Sequence, residues 1–275
     1  MNLLKCILTA NDCYKTKQTI NPKGVMVHST GANNPMLRRY VQPLTGDEDY
    51  DELMALLGKN PNGNSWNRSG TNACVHAFVG KLADGSVAAV QTLPWNHRGW
   101  HAGTGTSGRS ANNTHISFEV CEDGLTDASY FNAVYREAVE LTAYLCKEYG
   151  LDPLADGVVI CHSEGYKRGV ASGHADVMHW FPKHGKTMDN FRADVSAAMA
   201  CGDDEEEQED MTRDDVIKII QEYESEKDNL AVSDWAKPSW DKAVAKGITD
   251  GTAPRATASR EAVITMLDRM GLFDD

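Results

Sequence analysis

A dense run of carboxylates near the C-terminus limits how this 275-residue chain can fold. Seven of the nine residues at 202–210 (GDDEEEQED) are acidic, and they contribute −7 to a formal net charge of −13. Like charges at this density repel one another, and the run has no apolar side chain to anchor it in a core. We therefore predict a larger domain at 1–200, an acidic linker at 201–211 and a smaller helical module at 212–275.

The rest of the composition is that of an ordinary folded protein. Apolar residues make up 41% of the chain and charged residues 24%, which argues against wholesale disorder. The sequence has no uninterrupted apolar run of about 20 residues, so we expect no membrane insertion. It has no basic stripe with interleaved aromatic residues, so we expect no nucleic-acid partner. The opening segment turns polar before a signal-peptide cleavage pattern develops, and we expect synthesis in the cytoplasm without a signal peptide.

The seven cysteines form an odd number, contain no CxxC pair and lie mostly in apolar stretches. These features are typical of cysteines that are buried and unpaired. We therefore predict buried free thiols throughout, in keeping with synthesis in a reducing cytosol.

The part before the linker alternates strand-like and helical patterns. The apolar, strand-like runs are GVMVHS (24–29), CVHAFVG (74–80), SVAAVQT (86–92), HISFEVC (115–121) and VVICH (158–162). Between the last two, apolar residues from Phe131 to Leu145 recur at helical spacing, and Gly150 ends the segment as a C-cap would. We predict an α/β fold with a mixed central β-sheet flanked by α-helices, followed by a small all-α C-terminal domain.

Histidine is the informative residue type, because several of the nine histidines stand at strand ends, where neutral imidazole can bind a metal. An isolated histidine is more often structural, so the combination carries the argument. Five segments occur in one order: VMVHSTGA around His28, VHAFVG around His76, GWHAG around His101, ISFEVCED around Glu119 and VVICHSEGY around His162.

With these segments, about residues 20–200 resemble the amidase family shared by phage amidase-type lysozymes, peptidoglycan-recognition proteins and Gram-positive autolysins, and in particular the endolysins of clostridial phages. The resemblance implies hydrolysis of the amide that joins N-acetylmuramic acid to L-alanine in bacterial peptidoglycan. It also implies one zinc ion per catalytic domain, and a protein that reaches the cell wall after its release from the host cytoplasm.

The resemblance implies three zinc ligands. His28 and His162 match the first two, at the end of an opening strand and after a later strand. The third is often a cysteine directly before a proline, but the segment GHADVMHWFPKHG has no cysteine. We predict His179, which lies just before Pro182. The other candidates in the segment are His174, Asp176 and, least favoured, His184.

A zinc ion with three protein ligands and an open fourth position lowers the pKa of bound water to about 7. The resemblance implies an acidic general base or proton carrier on the strand after GWHAG, and Glu119 matches it. We predict that His101 polarises the scissile carbonyl or holds the transition state. His76 and Trp100 are the predicted substrate-binding residues, and His76 is equally compatible with a role in strand packing.

Two residue types common in the family are missing from their places. The family tyrosine beside the metal has Val75 and His76 in its place. A lysine usually lies two positions before the third ligand, where Val177 stands if His179 is that ligand. The oxyanion-stabilising residue is therefore not identified from the sequence.

The stretch 232–273 resembles a single S-layer homology repeat, with an aromatic helix, a GITDG turn and a helix that begins SREAV. The resemblance implies binding to secondary polymers of Gram-positive walls. Such repeats usually act in groups, so this chain implies weak binding or assembly as a homo-oligomer. A small helical dimerisation tail is the alternative, because about 60 residues form only a marginal core.

Two other functions remain open for the larger domain. Some members of this superfamily bind peptidoglycan without cutting it, typically after losing a metal ligand. A zinc peptidase that cuts within the stem peptide would use the same chemistry.

Overall fold

The computed structural model describes residues 1–201, 213–256 and 260–270. The chain divides into two compact units, Met1–Asp204 and Glu205–Asp275, which we describe separately. Apart from its first residue, the predicted acidic linker at 201–211 lies outside the described residues.

The first unit is built on a six-stranded sheet. Its strands are β1 (Leu3–Lys5), β2 (Gly24–Ser29), β3 (Ala77–Lys81), β4 (Val87–Gln91), β5 (His115–Val120) and β6 (Val159–Cys161). They lie in the order β1-β4-β3-β5-β2-β6, and every neighbouring pair is parallel except the hairpin of β3 and β4. The predicted mixed α/β fold is confirmed.

Five α-helices accompany the sheet: α1 (Asp12–Lys15), α2 (Tyr50–Leu57), α3 (Ala128–Tyr149), α4 (His162–Lys167) and α5 (Met188–Cys201). The longest, α3, begins at Asp127, whose side chain accepts hydrogen bonds from the backbone N–H groups of Ser129 and Tyr130. It ends at Gly150, which has the left-handed φ of 61° that favours glycine. Its apolar face and α5 cover one side of the sheet, in a core that also contains Trp180 and Phe181.

A disulfide bond joins Cys13 to Cys74. The prediction that all the cysteines are free thiols is therefore wrong for this pair, which lies 61 residues apart in the sequence and is brought together only by tertiary folding. Four other cysteines, Cys6, Cys121, Cys146 and Cys161, are free and buried as predicted. Burial raises the pKa of the Cys6 thiol to about 12, so this thiol stays protonated at neutral pH.

The second unit contains α6 (Arg213–Asp228), α7 (Lys237–Ala245) and α8 (Arg260–Arg269), in agreement with the predicted helical C-terminal part. None of its residues whose burial is described is buried. Trp235 is 86% exposed and Tyr223 65% exposed. This unit therefore presents several large apolar side chains to solvent. In neither unit does a described helix combine the length and the apolar character needed to cross a bilayer.

The topology gathers the polar strand ends of the first unit at one edge. His28 is the residue before the last in β2 and is the register partner of Glu119 in β5. On the other side of β2, the parallel strand β6 ends at Cys161, and His162 begins α4 directly afterwards. Because parallel strands end at the same edge of a sheet, these side chains meet there.

Candidate metal centre

Three side chains converge at this edge. The Nδ1 atoms of His28 and His162 lie 3.1 Å apart. Oδ2 of Asp176 lies 3.1 Å from Nδ1 of His28 and 3.6 Å from Nδ1 of His162. These three residues form the one group in the described chain whose histidine, cysteine or carboxylate atoms are placed to share a metal ion. We call it the metal-binding triangle.

The metal-binding triangle has the dimensions of a zinc site. Ligand atoms about 2.05 Å from a tetrahedral zinc ion stand about 3.3 Å from one another, and the three separations in the triangle bracket that value. Two imidazole nitrogens and one carboxylate oxygen are also ligands that zinc accepts. The residues present therefore fit the metal.

The protonation states also suit a metal. Burial lowers the pKa of His28, and the hydrogen bond with Asp176 opposes this only in part. Burial disfavours the charged form of Asp176, but hydrogen bonds with His162 and His28 outweigh it and hold the pKa of that carboxyl well below its usual range. At neutral pH the triangle thus offers a neutral His28 imidazole and an ionised carboxylate.

Local structure fixes His162 at the start of α4. The side chain of Glu164 accepts a hydrogen bond from the backbone N–H of Cys161, which closes a capping box at the N-terminus of this short helix. Glu164 also pairs with Arg192 of α5 at 3.0 Å. On the far side of the ring, Nε2 of His162 lies 3.3 Å from Oγ of Ser172.

The structure places Asp176 at the two histidines, and it does not bring His179, the residue predicted from the sequence, to them. Nε2 of His179 lies 2.8 Å from Oε1 of Glu122 instead. The choice of His179 rested on its closeness to Pro182, but position along an irregular loop does not determine which side chain faces the histidines. Here Val177 and Trp180 are buried in the core, which directs Asp176 and His179 to different partners.

The two remaining candidates from that segment lie elsewhere. His174 is exposed, and its ring centroid is 4.6 Å from that of His162, so it stands at the edge of the triangle. The ring of His184 stacks on that of Phe131, with 4.1 Å between the ring centroids, and its Nε2 lies 3.2 Å from the carbonyl oxygen of Leu125. These contacts give His184 a structural role.

Glu119 reaches the same site from β5. Its Oε2 is buried and has no hydrogen-bond partner among the described residues. Burial raises the pKa of this carboxyl well above its usual range, and the charges of Asp176 and Glu122 add to the effect. The raised pKa favours the protonated form of this carboxyl, which suits a group that takes up a proton during a reaction.

His101 lies behind the metal-binding triangle. Its Nδ1 is 3.0 Å from Nε2 of His28, the ring nitrogen that faces away from the other two ligands. Burial lowers the pKa of His101 well below its usual range, with further contributions from neighbouring histidines. The neutral ring can therefore accept a hydrogen bond from His28 and hold that imidazole in one tautomer.

A cavity of about 460 Å³ opens over these groups. Glu119, His101, His174, His179 and the three residues of the triangle line it, together with 29–31 of the loop after β2. The cavity is large enough to admit part of a ligand and brings it to the triangle and to Glu119.

His76 and Trp100, the predicted substrate-binding residues, do not line this cavity. His76 is fully buried: its Nε2 lies 2.7 Å from the carbonyl oxygen of His97, and its Nδ1 accepts from the backbone N–H of Ser117. Burial lowers its pKa to about 4. Trp100 packs beside the Cys13–Cys74 bond. His76 therefore lies in the core of the unit, in keeping with the strand-packing alternative, and Trp100 is partly buried beside a small apolar cluster.

The sequence reasoning missed Glu122. Glu122 is buried, and its carboxylate contacts His179 at the rim of the cavity. The sequence does contain a sign of this role. Glu122 is the second acidic residue of ISFEVCED and follows β5, and a charged residue next to a buried strand needs a partner.

Comparison with known proteins gives one family match. A sequence model of the family described as N-acetylmuramoyl-L-alanine amidase matches residues 18–183. No curated protein matches the chain. The matched range includes every residue of the metal-binding triangle, together with Glu119, His101 and His174.

Several solved structures are similar to this chain. The Staphylococcus aureus hydrolase AmiA in complex with its ligand is 18% identical, over 74% of this chain and 85% of that one, with a TM-score of 0.47. The catalytic domain of XlyA is 21% identical, over 71% and 99%, with a TM-score of 0.45. The amidase LysC from Clostridium intestinale URNW is 16% identical, over 65% and 93%, with a TM-score of 0.35.

Proposed function

The chain belongs to the N-acetylmuramoyl-L-alanine amidase family and hydrolyses the amide bond between N-acetylmuramic acid and L-alanine in peptidoglycan. We propose that it does so with one zinc ion held by His28, His162 and Asp176. The observation that carries the proposal is the metal-binding triangle, whose atoms lie 3.1 to 3.6 Å from one another. When bound, zinc lowers the pKa of a coordinated water to about 7 and polarises the scissile carbonyl.

Glu119 moves the proton. In its ionised form it accepts a proton from the attacking water, and in its protonated form it donates that proton to the nitrogen of the departing L-alanine. The raised pKa supports this role, because it favours the protonated form that the carboxyl takes on when it accepts the proton of the water. Its unpartnered Oε2 leaves one oxygen available for this role.

His174 is our candidate for stabilising the oxygen of the scissile carbonyl as negative charge develops on it. With Asp176 as the third ligand, His174 occupies the place two positions earlier in which the family usually has a lysine. It lines the cavity beside His162, and an imidazole N–H can donate to that oxygen. This replaces the role predicted for His101, which instead supports His28.

The test is an assay of purified Gram-positive peptidoglycan for new L-alanine amino termini, together with the zinc content of the protein. We expect the wild-type chain to contain one zinc ion and to release L-alanine termini, and His28→Ala to lose both. New termini from other stem-peptide residues would indicate a zinc peptidase. A zinc-free protein that binds walls without cutting them would indicate a recognition protein, and either result would overturn the proposed reaction.

For the C-terminal unit we propose attachment to a secondary wall polymer, with self-association as an aid to weak binding. The support is the resemblance of 232–273 to an S-layer homology repeat and the exposure of aromatic side chains such as Trp235. Co-sedimentation of the full chain with walls, and with walls stripped of secondary polymers, tests this. We expect stripping and Trp235→Ala each to reduce binding, and equal binding to both preparations would contradict attachment through the polymer.

A further inference from the structure

Glu122 joins two of the strand ends that carry the site. Its backbone N–H donates to Oγ1 of Thr30 at 3.0 Å, and its carbonyl oxygen accepts from the backbone N–H of Asn34 at 2.8 Å. Its Oε1 accepts from the backbone N–H of Gly31 at 3.1 Å. Glu122 thereby fastens the segment that follows β5, and so Glu119, to the loop that follows His28 in β2.

The same carboxylate oxygen also holds the loop that carries Asp176. Nε2 of His179 lies 2.8 Å from Oε1 of Glu122. The carboxylate is 4% exposed and the imidazole 33% exposed, so the pair is shielded on the carboxylate side and open at the cavity rim. A charge buried to this extent needs a partner, and His179 and the Gly31 N–H supply the donors.

The loop at 174–180 has few other supports on its cavity side. Val177 and Trp180 anchor it in the core beneath. Within the loop, the backbone N–H of Met178 donates to the carbonyl oxygen of Ala175 at 2.7 Å. In the described part of the chain, its polar contacts toward the metal-binding triangle and the ends of β2 and β5 are made by Asp176 and His179.

We propose that His179 and Glu122 form a positioning clamp, which holds Asp176 at the metal-binding triangle by fastening its loop to the ends of β2 and β5. Neither residue touches the metal or the reacting atoms in this role. Mutation of a residue that orients a metal ligand without binding the metal commonly weakens metal binding by about 10- to 100-fold. The proposal rests on the proposed function in one respect, that the triangle binds zinc.

The experiment compares the full-length wild-type chain with His179→Ala, His179→Gln and Lys186→Ala. His179→Gln retains a side-chain N–H that can donate to Glu122. Lys186→Ala is the matched control, because Lys186 is also 33% exposed and pairs at 2.8 Å with Asp194, away from the metal-binding triangle. Three quantities are measured: the zinc dissociation constant by competition with a chelator, the visible spectrum of the cobalt-substituted protein, and amide hydrogen exchange of 174–180 in the metal-free protein.

We expect His179→Ala to weaken zinc binding by about 10- to 100-fold, to alter the cobalt spectrum and to speed amide exchange in the loop. His179→Gln recovers most of each property, and Lys186→Ala matches the wild type. In a double-mutant cycle, Glu122→Ala and His179→Ala are non-additive, because each removes the contact between the two side chains.

The clamp would be contradicted if His179→Ala had the same zinc affinity and the same loop exchange as the wild type. It would also be contradicted if Lys186→Ala lost as much zinc affinity as His179→Ala. A wild-type chain that binds no zinc would count against the proposed function. Loop exchange in the metal-free protein would then still decide the clamp, with unchanged exchange in His179→Ala overturning it and faster exchange supporting it.

Discussion

His28 and Glu119 are register partners in the parallel ladder between β2 and β5. Adjacent strands lie about 4.8 Å apart, and side chains of register partners project from the same face of a sheet. The imidazole that we assign to the metal and the carboxylate that we assign to proton transfer therefore have neighbouring, rigid supports. Rigid supports suit a reaction in which small displacements of the catalytic groups cost rate.

Glu119→Gln should separate proton transfer from metal binding. We expect kcat to fall by about 100- to 10,000-fold, as for loss of a general acid–base group, with one zinc ion retained. Folding raises the pKa of the Glu119 carboxyl, so at a pH above its ordinary pKa this carboxyl makes the folded state less stable. The Gln side chain has no charge to lose, and the variant should therefore unfold at a higher temperature than the wild type at pH 7. Kinetics, zinc analysis and calorimetry measure these effects. Loss of zinc from the variant would contradict the division of roles.

Asp176→Ala should abolish stoichiometric zinc binding, since it removes one of three ligands. The weakening should exceed the roughly 100-fold upper limit typical of outer-shell groups. Asp176→Cys should bind zinc again, because a thiolate is also a zinc ligand. Chelator competition measures both. Zinc retained by Asp176→Ala and lost from His179→Ala would instead restore the ligand predicted from the sequence.

His174→Ala should lower kcat by about 100- to 1,000-fold, the range for loss of one donor to a developing oxyanion, with an unchanged zinc dissociation constant. His174→Lys should recover part of the rate, because an ammonium group can donate to the same oxygen. A rise in KM with kcat unchanged would show that His174 binds substrate and transition state equally.

Buried His76 should make the metal-free protein sensitive to mild acid. Burial lowers its pKa to about 4, whereas an unfolded histidine has a pKa of about 6.5. Below about 6.5 the unfolded chain binds the additional proton, so this contribution to stability is lost as the pH falls toward 4. Its share of the loss between pH 7 and pH 5 is about 2 kcal/mol.

The comparison that isolates His76 is with His76→Gln, because burial also lowers the pKa of other histidines, such as His115. Urea unfolding in the presence of a chelator should show a smaller fall in the free energy of unfolding for His76→Gln than for the wild type. If the free energy of unfolding fell equally with pH in both proteins, His76 would not be a source of the acid sensitivity, and the prediction would be wrong.

Strand pattern and strand order account for what the sequence could predict. His28, Glu119 and His162 stand in or directly after apolar strand runs, so recognising the runs as parallel strands brings these residues to one edge. Asp176 and His179 lie three positions apart in an irregular loop, where no periodicity indicates which side chain faces the histidines. The burial of Val177 and Trp180 decides it, and that depends on the tertiary packing around α3.

Two other differences also arise from long-range packing. The bond between Cys13 and Cys74 depends on residues 61 positions apart, and their spacing gives no sign of pairing. His76 lies directly before β3 and His28 near the end of β2, so both histidines adjoin apolar strand runs. The ring of His76, however, is enclosed by His97 and Ser117, which come from distant segments. A histidine next to a strand can thus face solvent or core, and the sequence alone does not distinguish the two.

The metal-binding triangle draws its first ligand from position 28 and its last from position 176 of a 275-residue chain. A ribosome must therefore extend the chain from His28 to Asp176 before the last residue of the triangle exists, and β6 and the loop after it must dock before the three side chains can meet. Any shorter nascent fragment lacks Asp176. Fragments left by interrupted translation or early proteolysis upstream of that residue should consequently lack amidase activity, because the metal-binding triangle is incomplete in them.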